Sequence, residues 1–254
     1  MDPDELLAIA HELVEQGGEM GVTLRILGHL AVREHTKKNR YLIDLIKRVP
    51  THDIDFMGYS SEINQANRLF IDTLGYKPDP SVAYSQEYGV KRLIYHHDNG
   101  VMAENFLDEL HMAHHLDFKD RLQLDYPTIS LVDLLLSKLQ IQQLTEKDTK
   151  DIIILLAEHD LGSQDREKID ITYLLKLIRE NWGLFYTAQN NLLKAKAFLG
   201  QLGEINSDTR DTVEKGIHTI IERIETEPKT IRWKARAKIG TRMKWYEDVD
   251  DVHR

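Results

Sequence analysis

The stretch His52-Asp53-Ile54-Asp55-Phe56-Met57-Gly58 decides how this chain is read. Ile54 and Phe56 give it the apolar, β-prone character of a buried strand, interrupted by two carboxylates. Side chains alternate along a strand, so Asp53 and Asp55 project from the same side. Adjacent carboxylates repel, and burying either is costly unless a cation neutralises it. Mg²⁺ does so with one or two protein carboxylates, completing its shell with water and substrate phosphates. Acidic pairs also end strands at turns, and Pro50 and Gly58 keep that plainer reading open.

Upstream, residues 22–27 read as a strand that meets Gly28, with a helical pattern beginning in Leu27-Gly28-His29-Leu30-Ala31-Val32. Downstream, residues 91–97 and 103–110 read as two strands around Asp98-Asn99-Gly100, a strong hairpin signal. On the second of these, Glu104, Phe106 and Asp108 fall on one face. An edge hairpin with ordinary solvated acids accounts for them equally well. His111 and His115 have the spacing of one helix face, but no glutamate stands between them as in a zinc-protease motif, so the pattern argues against zinc.

From Pro127 onward the period is helical. Lys138 sits mid-helix beside Leu134, Leu135 and Leu139, where a lysine ordinarily snorkels. Thr145-Glu146-Lys147-Asp148 opens a further helix with Asp148 as a capping acid, and Asp151 follows one turn later without that explanation. Residues 170–245 read as three or four helices. The last carries Arg232, Lys234, Arg236 and Lys238 among Trp233, Trp245 and Tyr246. Basic residues with aromatics can hold an RNA backbone and stack a base. They serve equally as a terminal helix docking its aromatics on a bundle while its charges stay in water.

A net charge of −9 argues against a chain that coats nucleic acid indiscriminately. Zero cysteines exclude disulfides, thiolate nucleophiles and cysteine-ligated zinc. No membrane-length apolar run and no signal peptide are evident, so a cytoplasmic address is expected.

Taken in order, these pieces resemble the minimal nucleotidyltransferase core of the DNA polymerase β type. Within that group they are similar to the AbiEii-like (abortive-infection toxin) and related uncharacterised families. The resemblance rests on Leu27-Gly28-His29-Leu30-Ala31-Val32, Asp53-Ile54-Asp55-Phe56, Phe106-Leu107-Asp108-Glu109-Leu110, Ser137-Lys138-Leu139-Gln140 and Glu146-Lys147-Asp148-x-x-Asp151, spanning roughly residues 20–160.

The resemblance implies an α+β fold: a small mixed sheet flanked by helices over residues 1–126, then a C-terminal helical bundle over 127–254. It implies that Asp53 and Asp55 hold Mg²⁺ (or Mn²⁺) and that Glu104, with Asp108 in reserve, supplies a third carboxylate as metal ligand or general base. It places the triphosphate of an NTP donor at Gly28 and Lys138, and an acidic motif on Asp148 and Asp151. His29 stands where the family has a second glycine or a serine; its ring either donates to a phosphate or blocks the cradle. The implied activity moves a nucleoside monophosphate to a hydroxyl on a tRNA end or a protein, in a toxin with a separate antitoxin. The alternative is a catalytically degenerate binding or regulatory module, which the departure at His29 motivates.

Overall fold

The computed structural model describes residues 2–50, 52–80, 92–163 and 167–248. Lys91, much of the loop before it, and Asp250 and Asp251 lie outside these residues. The chain forms two compact units. The first comprises Met1–Glu34, Pro50–Leu110 and Leu116–Ser130; the second comprises His35–Val49, His111–His115 and Leu131–Arg254. A single cut at residues 126/127 is therefore replaced by a division at 130/131 with two excursions of the chain into the second unit.

The first unit opens with α1 (Pro3–Glu19), started by a capping box in which Asp2 accepts from the Asp4 N–H and Glu5 reaches back to the Asp2 N–H. Then come β1 (Arg25–Ile26), α2 (Gly28–His35) and β2 (Asp53–Gly58). The helical run after β2 is α4 (Ile63–Asn67), continued by a π-helical turn over Arg68–Thr73; the short α3 (Tyr41–Leu45) belongs to the second unit. Strands β3 (Lys77–Pro78), β4 (Arg92–His96) and β5 (Met102–Leu107) complete a five-stranded mixed sheet of order β1-β2-β5-β4-β3.

The expected hairpin is present. Asn99 Oδ1 accepts from the Val101 N–H at 3.0 Å, and Gly100 has φ +88°, the left-handed conformation its turn demands. The pairing that the sequence could not announce is β2 with β5, which is parallel, whereas β1–β2 and β4–β5 are antiparallel. One face of this central pair is core: Ile54 and Phe56 are fully buried, and across the register from Phe56 lies buried Asn105. Gly58 is needed beside Asn105, because a methyl there would come within 2.9 Å of the Asn105 Oδ1. On β4, Tyr95 stacks on Phe70 with ring centroids 4.3 Å apart and donates its hydroxyl to Asn67 Oδ1 at 2.9 Å. Beyond β5 the chain forms β6 (Glu109–His111) and β7 (His115–Asp117).

The second unit is mainly helical: α5 (Leu131–Leu139), α6 (Glu146–Glu158), α7 (Ile171–Glu180), α8 (Trp182–Gln201), α9 (Ser207–Thr226) and α10 (Ile231–Ile239), with a small parallel ladder of β8 (Leu161–Gly162) and β9 (Ile169–Asp170). Its helices start where side-chain oxygens meet orphan N–H groups: Thr145, Asp170, Asn181, Asn206 and Thr230 each cap the helix that follows. The four-residue recurrence Val213, Ile217, Ile220, Ile224 is buried along α9, as its spacing requires. Glu158 closes α6 by accepting the backbone N–H groups of Lys37, Lys38 and Asn39. Burial alone would raise its carboxyl, but these donors outweigh that cost and hold it below its ordinary value.

His114 sits inside this unit, its Nε2 2.8 Å from Thr187 Oγ1, and burial pulls it down to about 4. Its folded value lies below the unfolded 6.5, so the unfolded chain takes the proton first as pH falls. The stability contributed by neutral His114 is therefore complete above the unfolded value and drains away as pH falls toward 4. Urea midpoints measured from pH 7 to pH 5 should fall by the equivalent of roughly 2 kcal/mol, and His114→Gln should flatten that slope. An unchanged slope in the variant would assign the acid sensitivity to other groups.

Candidate functional site

Within the first unit, the alternation along β2 turns Asp53 and Asp55 to the face opposite Ile54 and Phe56, and both are partly exposed. Parallel register sets Asp55 beside Glu104 on β5, and register partners share a face, so the three acids occupy one side of the central pair. Oxygen donors of this kind suit Mg²⁺. Among the described residues, these three do not gather their donor atoms within 4.8 Å of one another.

Glu104 has an ion-pair partner of its own. Arg92, diagonal to it across β4–β5, donates from Nη1 to Glu104 Oε1 at 2.6 Å. Glu104 is thus an oriented, charge-paired carboxylate beside the aspartate pair. Arg92 is a site residue the sequence reading missed. Its one signal was its place two residues before Ile94, the register partner of Glu104, and this required knowing the register of the hairpin.

The turn from β1 into α2 closes on the same site. Leu27 N–H donates to Asp55 O at 2.8 Å, fixing the end of β1 against β2. Gly28 has φ +69°, and a methyl on its α-carbon would overlap Asp55 Oδ2. Glycine is therefore required here twice, for its left-handed backbone and for the close approach of a carboxylate. The backbone N–H groups opening α2 lie at this turn, where a helix N-terminus favours negative charge. His29 is buried, at 5% exposure, so its ring is housed inside the unit.

Asp108 lies elsewhere. The expected strand to Leu110 breaks at this residue, which has φ +61° and no longer shares the face of Glu104. Its carboxylate accepts from the Ser60 N–H at 3.1 Å and from the Ser60 hydroxyl, capping the 3₁₀ turn Ser60–Glu62. A local turn is thus the business of Asp108.

Lys138, Asp148 and Asp151 belong to the second unit, where they are joined by Arg48. Arg48 makes a two-pronged pair with Asp151, at 2.7 Å from Nε and 3.0 Å from Nη2. Lys138 Nζ lies 3.0 Å from Asp151 Oδ2 and 3.1 Å from Asp148 Oδ1. Asp148 also accepts from Thr145 Oγ1 at 2.6 Å, as a capping acid does. Lys138 does not snorkel: it is buried. Burial would lower its ammonium, but Asp151 and Asp148 outweigh that and hold it above its ordinary value. Arg48 gave no signal in the sequence beyond preceding a proline.

The basic C-terminal stretch divides. Trp233 packs edge-on against Phe185 and Trp245 against Trp182, while the Arg236 guanidinium lies 4.8 Å over the Trp182 ring. Arg236 also donates to the carbonyls of Gly240 and Met243, so it is a folding group. Arg232, Lys234 and Lys238 stand exposed on α10. The aromatics therefore dock on the bundle and are not an open stacking platform.

His111 and His115 are on strands β6 and β7 and not on a helix as their spacing suggested, yet their rings meet, with centroids 3.7 Å apart and the two Nε2 atoms in contact. No helix among the described residues is long and apolar enough to cross a membrane. No family model, curated protein or solved structure matches the chain, so what is established of the fold is an α+β chain with a mixed five-stranded sheet and a C-terminal helical region.

Proposed function

We propose that the chain is a metal-dependent nucleotidyltransferase with a polymerase-β-type core, moving a nucleoside monophosphate from an NTP to an acceptor hydroxyl. The observation that carries this reading is the parallel β2–β5 register, which sets Glu104 beside Asp55 on the face shared with Asp53, against the Gly28 turn. Asp53 and Asp55 would hold Mg²⁺ or Mn²⁺, which would supply charge neutralisation for the triphosphate. The backbone N–H groups at the start of α2 receive phosphate oxygens. Glu104, oriented by Arg92, accepts the proton of the acceptor hydroxyl. The acceptor oxygen then bonds to the α-phosphorus, the bridging α–β P–O bond breaks, and pyrophosphate leaves. Positioning and charge neutralisation suffice for such a reaction, so a small set of residues is enough. In this reading the acceptor is a tRNA end or a protein side chain, with exposed Arg232, Lys234 and Lys238 available to an RNA backbone, and a toxin role would bring an antitoxin as partner.

A second reading, a non-catalytic binding or regulatory module, is favoured by one observation: Glu104 is already neutralised by Arg92. A thermal-shift panel of ATP, GTP, CTP and UTP with Mg²⁺ or Mn²⁺ separates the two. Saturation to about 100 times Kd should add ~2.7 kcal/mol to the folded state, with one nucleotide, only in the presence of metal. No shift with any pair would remove the nucleotidyltransferase reading.

A further inference from the structure

The chain carries a second set of metal-binding groups whose chemistry differs from that of the aspartate pair. His111 and His115 end and begin the strands β6 and β7, and the intervening turn folds the rings together. Their planes cross at 77°, edge against face, and Nε2 faces Nε2. Two imidazole nitrogens in contact repel through their lone pairs when both are deprotonated and through their charges when both rings are protonated. Either one shared proton or one metal ion between them resolves this. A tetrahedral metal at the usual ~2.0–2.1 Å from each nitrogen asks that the two nitrogens part by about 1 Å. His111 is half-buried and His115 exposed, so the first ring is held while the second can adjust, and the pair is open to an arriving ion.

We propose that His111 and His115 bind a divalent transition ion of the Zn²⁺ class. Imidazole nitrogens select Zn²⁺, Ni²⁺ or Cu²⁺ over Mg²⁺, which takes oxygen ligands. Two imidazole ligands leave the remaining positions of the ion to water or to a substrate atom.

The test is calorimetric titration of the untagged, metal-stripped full chain with ZnCl₂ and, separately, MgCl₂, for wild type, His111→Gln, His115→Gln and Asp55→Asn. The expected result is one tight Zn²⁺ per chain, not displaced by Mg²⁺, weakened at least tenfold by His115→Gln and by His111→Gln, and retained in Asp55→Asn. Circular dichroism melts establish that each variant is folded; His115, being exposed, gives the variant that holds its fold even where His111→Gln does not. X-ray absorption at the zinc edge should show two imidazole ligands. Unchanged affinity in the folded His115→Gln variant, or loss of zinc in Asp55→Asn alone, would overturn the proposal without touching the nucleotidyltransferase reading.

Discussion

Asp55→Asn should abolish metal-dependent nucleotide stabilisation and lower any transfer rate by about 1,000-fold or more, while the first unit stays folded. The loss is large because a single neutral amide replaces a charged metal ligand where charge neutralisation is most of the catalysis. Stability should change little, because two effects oppose. The carboxylate lies against Gly28 at the start of α2, where a negative charge is favourable by roughly 0.3–1 kcal/mol. Against this, removing the charge relieves repulsion with Asp53 and Glu104, which share its face. The net change in unfolding free energy should therefore be within about 1 kcal/mol. Nucleotide titrations and melts on the same preparation check both halves. A variant that melts many degrees lower would make Asp55 a helix-capping group, and one that keeps nucleotide binding and transfer would remove it from the site.

How much of this was legible in the sequence depends on whether a feature is local. Asp53 and Asp55 could be placed on one face from alternation alone, and the Asp98-Asn99-Gly100 turn announced its hairpin through residues that each prefer that conformation. The Thr145 cap of α6 follows from a short spacing in the same way. What escaped was non-local. The parallel pairing of β2 with β5, which makes Glu104 the neighbour of Asp55, joins segments some fifty residues apart, and no short-range signal encodes a register of that kind. Arg92 became a site residue only through that register. The break at Asp108 was hidden because a left-handed aspartate looks like any strand acid until its Ser60 partner is known. The histidine pair misled for a related reason: the spacing of His111 and His115 fits a helix, but Met112 and Ala113 turn the chain back, and a hairpin brings the same rings together.

The largest stability effect should come from Asp151. This carboxylate is completely buried and is shared by Arg48 and Lys138, with Asp148 as the second acid of a four-residue, net-neutral set. Forming such a set from solvated ions gains little, because the desolvation of each charge offsets most of the attraction. Breaking it is another matter. Asp151→Ala leaves two buried cations with a single carboxylate between them, and removing one partner of a buried pair costs about 3–5 kcal/mol. Asp148→Ala should cost much less, because Asp148 is nearer solvent and Lys138 keeps Asp151. All three tryptophans, Trp182, Trp233 and Trp245, lie in the second unit, so urea unfolding followed by tryptophan fluorescence reports on the unit that holds the network. The combined replacement Arg48→Met, Lys138→Met, Asp151→Leu and Asp148→Asn should recover most of the loss, since no charge is then left without a partner. That quadruple variant also decides what Lys138 is for. If it folds and retains metal-dependent nucleotide stabilisation, the lysine is a structural cation and the triphosphate is held by the α2 turn without it. If it folds but loses nucleotide stabilisation while Asp53 and Asp55 remain, nucleotide binding depends on the charges of the buried network.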